Sequence, residues 1–435
     1  MTKDTNAMEI EAPLTKNQSK MEIESPLTKN SSKMEIEAPL TKNRYEKVQF
    51  ISWEVHTGPY IHGQGVGLYT GLGNPVDDKR TDAEGQCWDI EARVAFTKEA
   101  LKLALKGSDP SSRTLKVFMA PEFLYRGAGG AYLHDLLDGW STAPAEFGLP
   151  PIYSGAWGGL FGQLRNLVAH ENYEHWIVVF GTAVSASFHT QNSPQGKRQL
   201  NVAEVAEVYN SALVQRGGSA SDGRANSHVT RKHYMSGIDF FSWYGAAQHG
   251  NNVEHLDPTA RRLVETSLGN ASSLFQFDSV GDRHGTRLKF GIEICLDHAI
   301  SAPNNNFGRI RAANEEVNIQ LVPSAGMFLQ RQSICLCPAN AAAPNAYAFN
   351  CDGLSQQQHA GGFGSHTQIW SAAHGVAMPP SMEVIGGEPH PGSKLYLLPP
   401  RAATSYGEVA ADRLWNNLRD NSGAGSVRIM DPCPI

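Results

Sequence analysis

The stretch LKFGIEICLDHAI (288–300) sets Cys295 in an apolar run, with Glu293 two residues before it and Asp297 two after. A free cysteine most often packs as a small hydrophobe, so its neighbours decide whether it is anything more. A sulfur nucleophile needs a base for the thiol proton and a cation or N–H donor for the oxyanion that forms on the attacked carbon. Two other stretches carry those residue types. Glu122 follows the apolar strand of VFMAPEFLY and is held in an extended turn by the preceding proline, and Lys232 lies in SHVTRKHYMSGIDF, where a strand-like HVTRKHY ends in Gly237. Taken singly, a glutamate after a strand or a lysine beside an arginine is an ordinary solvated charge. What raises the three above that reading is their order and flanks taken together, with Cys295 at the end of an apolar strand, the place where layered α/β folds present their chemistry.

The elements that must position them are legible as patterns. KVQFISWEV (47–55) alternates as a strand and opens the folded part of the chain; an amphipathic helix follows over 88–107, then a strand over 114–120. Strand, helix, strand reads as a βαβ unit. Further strands are expected at 175–184, 208–218, 288–295 and 318–326, and near 346–353 and 365–372. In a strand continuing to residue 295, Glu293 and Cys295 would share a face. The alternation argues a mixed, layered α/β domain.

With APEFL at Glu122, RKHY at Lys232 and GIEICLDH at Cys295, the chain resembles the nitrilase, or carbon–nitrogen hydrolase, superfamily over roughly 46–375. FGTAV followed by YNSALVQRGG, then LVPSAGM, FNCDG and GGFGSHTQIWS, are similar to its other strands. The resemblance implies a four-layer α-β-β-α sandwich and a Glu122-Lys232-Cys295 triad. It also implies hydrolysis of an amide to an acid and ammonia or an amine through a thioester, with no cofactor. The oxyanion would rest on Lys232 and the backbone N–H of Leu296, and Lys232 would lower the thiol pKa. Asp239 stands near the place where many relatives carry a second glutamate, which implies a supporting role with a shorter reach. His298 is similar to the nitrile-hydrolysing branch and Glu293 to glutamine-hydrolysing relatives, so a nitrile substrate remains an alternative. Leu296 replaces the aromatic residue that often follows the cysteine.

With 37 Lys plus Arg against 43 Asp plus Glu and no basic stripe, the chain lacks a nucleic-acid footprint. It has neither a signal segment nor an apolar run long enough for a membrane. Six irregularly spaced cysteines fit a reducing, cytoplasmic setting, and Cys335 and Cys337 stand too close together for a structural zinc site. Cys351 reads as core, and 62–75 as a Gly-rich loop without phosphate-binding spacing. Residues 8–43 repeat MEIE(A/S)PLTKN with a period of 13, each copy too short and too polar to pack. They form either a flexible tail or a multivalent binding element, a scaffold role being the alternative from another class. The expected division is a tail over 1–44, a catalytic domain over 45–385 and a C-terminal extension over 386–435. In that extension the helix-like YGEVAADRLWNNLRD (406–420) packs on the domain or serves a homo-oligomer contact.

Overall fold

One strand feeds two cores. In KVQFISWE, Val48 and Phe50 are buried on one face and Ile51 and Trp53 on the other, as the two-residue period of a strand dictates. The computed structural model describes residues 43–58, 60–61, 67–68, 82–127, 130–201, 206–219, 226–234, 239, 253–254, 272–302, 304–337, 345–353, 367–373, 381–384, 393–415 and 423–435. All of them lie in one unit spanning 40–435. The repeats lie outside the described residues except for Asn43, which opens a short strand (Asn43–Tyr45), and so does the Gly-rich segment apart from Gly67 and Leu68.

In chain order, the elements that build the two large sheets and their covering are β1 (Lys47–Glu54), α1 (Ala83–Gly107), β2 (Thr114–Met119), α2 (Gly159–Leu167), β3 (Trp176–Ser187), β4 (Ala206–Arg216) and β5 (Ser227–Arg231). They continue with β6 (Leu274–Phe275), β7 (Phe290–Ile292), α3 (Arg309–Ala312), β8 (Ile319–Ser324), β9 (Asn345–Asp352), β10 (Gln368–Ala373) and β11 (Ser381–Val384). The chain ends with β12 (Ser393–Leu397), β13 (Arg401–Thr404), β14 (Gly407–Ala410), α4 (Ala411–Leu414) and β15 (Ser426–Met430). The first sheet runs β5-β4-β3-β2-β1-β15-β12 and the second β6-β7-β8-β9-β10-β11. Their centres are parallel, β1 with β2 and β2 with β3 in one, β7 with β8 and β8 with β9 in the other. The described chain is thus mixed α/β, with several sheets and few helices.

Three apolar clusters follow from the alternation. One joins the first sheet (Ile51, Phe118, Val178, Leu213) to α1 and α2. A second joins the facing sides of both sheets: Phe50, Val117 and Val179 meet Ile292, Leu321 and Phe349, and both Cys295 and Cys351 belong to it. Phe50 and Phe349 lie 5.0 Å apart between ring centroids, a pair whose truncation to alanine costs about 3–5 kcal/mol in a well-packed core. The third lies on the other face of the second sheet, where Val322, Ala346 and Ala348 meet Ile310 of α3.

Two expectations are corrected. The helix read over 406–420 is instead the hairpin β13-β14 followed by the short α4; residues 416–420 are outside the described set. Gly407 at φ 110° supplies the conformation a tight turn needs, and the apolar spacing of Val409, Leu414 and Trp415 serves a strand and a turn of helix equally well. The strand expected over 288–295 ends at Ile292, with consequences for Cys295. Helix α1 begins at Ala83, five residues before the expected start, because Asp82 accepts from Gly85 N at 2.7 Å as its N-cap.

Candidate functional site

Glu122 is fixed by its backbone before its side chain does anything. It lies just past β2, where its N–H donates to Ser324 O at the end of β8 (3.2 Å) and its carbonyl accepts from the Thr57 hydroxyl. Gly353, just past β9, donates to the same Ser324 O at 2.8 Å and accepts from Thr57 N at 2.9 Å. A Cβ at Gly353 would lie 2.0 Å from Thr57 Oγ1, so only glycine fits. Gly181 of β3, at φ 76°, lets that strand pass beneath Pro121, whose oxygen would be 2.2 Å from an added Cβ. Strand ends from both sheets therefore converge on this one residue.

The Glu122 carboxyl is wholly buried. Its Oε1 accepts from Lys232 Nζ at 2.8 Å and from Asn210 Nδ2 at 2.8 Å, while its Oε2 has no partner among the described residues. Lys232 extends the β4-β5 ladder by one residue, its N–H donating to Asn210 O at 2.8 Å, and its ammonium also pairs with Asp239 Oδ1 at 2.7 Å. Arg126 lies 3.8 Å from the Phe123 ring centroid and donates to Asp239 O.

Cys295 follows Ile294 into a short 3-10 turn (Cys295–His298) and adopts φ 47°. Phe123, next to Glu122, has φ 64°; of the three non-glycine residues with positive φ among the described residues, two flank this site. Such backbone costs about 1–2 kcal/mol per residue and persists where surrounding structure dictates it. The thiol is 4% exposed. Leu296 is the second residue of the turn, and the opening N–H groups of a helix have no partner within it.

Lys232 lowers the thiol pKa, but larger effects outweigh it. Burial pushes the Cys295 thiol well above its usual range, the Glu122 carboxylate pushes it further, and Lys232 only partly opposes them. The resting sulfur is a thiol, and Lys232 by itself does not make it a thiolate. Burial also raises the Glu122 carboxyl, to about 7; Lys232 pulls the other way, Asp239 adds to the rise, and a nearby Cys295 side chain favours the ionised form. For Lys232 the two carboxylates outweigh burial and hold it cationic.

Glu293 and Cys295 do not share a face. Leu288, Phe290, Ile292 and Ile294 face the other sheet, and it is Cys295, at φ 47° in its turn, that departs from the alternation. The two-residue period sets Glu293 on the outer side with Gly291. There its Oε1 accepts from Ile310 N (2.8 Å) and its Oε2 from Gln320 Nε2 (2.8 Å), with His298 Nδ1 at 2.7 Å. His298 Nε2 accepts from Gln330 N at 3.0 Å, so its proton lies on Nδ1. Neither side chain joins the Glu122 group.

Two residues of the site escape a reading of the sequence. Asn210 betrays itself only by register: with Ala212 and Val214 it is on the face of β4 that packs between the sheets, where a lone amide is out of place. Asp297 accepts from His233 N and Tyr234 N (both 2.9 Å) and pairs with Arg309 at 3.2 Å, fastening the cysteine turn to the chain after Lys232. Burial nonetheless raises its carboxyl, against Arg309 and the two N–H donors.

Among the described residues no cluster of three or more His, Cys, Asp or Glu side chains could hold a metal ion, and no helix is long and apolar enough to cross a membrane. All six cysteines are free thiols. No family model matches the chain. No curated protein matches it. Among solved structures it is similar to N-terminal amidase crystallised with a Gln-Gly peptide (TM-score 0.27, 12% identity) and with an Asn-Glu peptide (0.28, 12%), and to a further crystal structure of N-terminal amidase (0.28, 13%). These alignments cover 64% of this chain and 48% of the amidase, so the chain matches about half the length of those structures. So slight a likeness concerns the fold at most and carries no functional argument.

Proposed function

We propose that the chain is a cysteine-dependent carbon–nitrogen hydrolase acting on a small amide. The observation that carries this reading is the buried Glu122-Lys232 pair at 2.8 Å, its second carboxylate oxygen without a hydrogen-bond partner among the described residues and the Cys295 side chain close by on a positive-φ turn. Glu122 takes the Cys295 proton as the sulfur attacks the amide carbon. Lys232 and the Leu296 N–H stabilise the oxyanion, each such donor being worth roughly 3–4 kcal/mol in comparable sites. Glu122 then protonates the departing nitrogen, which leaves as ammonia or an amine. A water deprotonated by Glu122 next cleaves the thioester, releasing the acid and restoring the thiol. Asp239 supports Lys232 by sharing its charge, and no cofactor enters.

The amide stands ahead of the nitrile, because His298 has both ring nitrogens engaged in the outer network. The same reading takes the two facing sheets as the centre of a four-layer α-β-β-α sandwich and divides the chain into a tail over 1–44, a catalytic domain over 45–385 and an extension over 386–435. A cytoplasmic homo-oligomer that binds neither nucleic acid nor membrane completes it. The test is intact-mass measurement after trapping with panels of amides and nitriles. An acyl adduct that is absent from Cys295→Ala is expected, and turnover retained by Cys295→Ala overturns the reading.

A further inference from the structure

We propose that Asn210 is a positioning residue that gives the two oxygens of Glu122 different tasks, fixing Oε1 and leaving Oε2 to carry the thiol proton. The proposal rests on the reading of Glu122 as the base for Cys295. Asn210 is 1% exposed and grips both partners of the buried pair. Its side-chain Nδ2 donates to Glu122 Oε1 at 2.8 Å and its carbonyl accepts from Lys232 N at 2.8 Å. Oε1 thus receives two donors, the second being the Lys232 ammonium, also at 2.8 Å. A carboxylate oxygen holding two donors is the poorer base of its pair, because hydrogen bonds to the charged form stabilise it.

Oε2 is buried and has no partner among the described residues. A lone buried acceptor costs about 1–3 kcal/mol, and the Cys295 side chain, which favours the ionised Glu122 carboxyl, is the donor at hand. The roles can be separated geometrically. Lys232 could pair with either oxygen of a freely turning carboxyl, whereas Asn210, held by the β4 backbone, directs its Nδ2 to Oε1 while its own Oδ1 has no partner among the described residues. Register supplies this placement, since β4 and β5 pair Ser211 with Arg231 and so set Asn210 beside Lys232.

The test uses the full chain and no substrate: the rate of Cys295 alkylation by iodoacetamide against pH, with the modified residue located by mass spectrometry. Removing the Asn210 donor disfavours the ionised carboxyl, so the inflection in Asn210→Ala is expected to move up by about half a pH unit or more. Asn210→Asp, which keeps the shape and sets a second acceptor against Oε1, is expected to move it further; should the alanine variant not fold, the shift is read from the aspartate variant alone. An inflection that responds to Glu122→Gln but stays in place in every folded Asn210 variant overturns the proposal alone. An alkylation profile indifferent to Glu122→Gln overturns the functional reading and this proposal with it.

Discussion

Two buried polar groups flank the turn that carries Cys295, and they are built from nearly the same parts. On the side between the sheets, Glu122 meets Lys232, Asp239 and Asn210. On the outer side, Glu293 meets His298, Gln320 and the Ile310 N–H. Both glutamates are wholly buried. They differ in how many of their acceptors are used: both oxygens of Glu293 are occupied and both nitrogens of His298 are engaged, whereas Glu122 keeps one oxygen without a partner among the described residues. A saturated buried network fixes one arrangement of the chain, whereas the Glu122 group leaves two buried acceptors, Glu122 Oε2 and Asn210 Oδ1, without a partner among the described residues. Residue type does not distinguish the two carboxylates; the completeness of their hydrogen bonding does.

The sharpest way to break this contrast is to neutralise each glutamate in turn. Glu122→Gln is expected to slow turnover and Cys295 alkylation by about 10²–10⁴-fold, the usual loss for a general base. Its melting temperature should hold or rise, since burial already disfavours the ionised carboxyl. In the wild type, alkylation should climb with pH through about 7 as Glu122 loses its proton. Glu293→Ala should show the opposite signature. Removing Glu293 leaves the buried Ile310, Gln320 and His298 donors without this acceptor, at about 1–3 kcal/mol each, a fall in Tm on the order of 5 °C or more, read by calorimetry. Alkylation of whatever remains folded should change little. If the glutamine variant melts lower and the alanine variant loses reactivity instead, the assignment of the two networks is reversed.

Asp297 should respond to both measurements, since it joins the two regions. It holds the His233 and Tyr234 N–H groups beside Lys232 and pairs with Arg309, whose neighbour Ile310 donates to Glu293. Asp297→Ala is expected to cost about 2–3 kcal/mol by urea denaturation, leaving buried donors unpaired. It should also slow alkylation by roughly tenfold, as a modest misplacement of Lys232 removes part of its stabilisation of the charged sulfur. A change in one readout without the other would cut the link between the networks.

The members of the open network are easier to see in sequence than its logic. Glu122 and Cys295 each follow an apolar run and Lys232 lies in a strand-like stretch, all local properties of the chain. Asn210 sits inside such a run, and its meaning depends on which face of β4 packs between the sheets, information held by partner strands far along the chain. Extending the period of two to residue 295 misplaces Cys295, which enters a turn at φ 47°, while Glu293 keeps the outer face that the alternation gives it. Asp297 acts across 64 residues on the His233 N–H, a contact that no spacing announces. The C-terminal strands escape for a related reason: the alternation of β12 is faint (Ser393–Leu397, largely exposed), and β15 acquires its place only by pairing with β1.

The smallest effect lies outside both networks and tests whether the pH response near 7 belongs to Glu122. His228, on the strand that ends at Lys232, stacks on Phe275 at 4.7 Å and donates to Ser272 O at 3.0 Å. Burial lowers its pKa from 6.5 to about 4, and His134 is lowered to about 4 by burial and Arg231. Both are neutral in the fold at pH 7. As pH falls from 6.5 towards 4, the unfolded chain binds protons that the folded chain refuses. Their contribution is therefore complete above about 6.5 and is lost on acidification, by about 1–2 kcal/mol for each histidine between pH 7 and 5. His228→Phe removes one of these titrations. It should cost about 1 kcal/mol at pH 7 through the lost hydrogen bond, yet lose less stability than the wild type between pH 7 and 5 in urea melts. Its alkylation inflection should stay where Glu122 sets it. A shift of that inflection in His228→Phe would mean that the histidine, and not the carboxyl, governs the thiol.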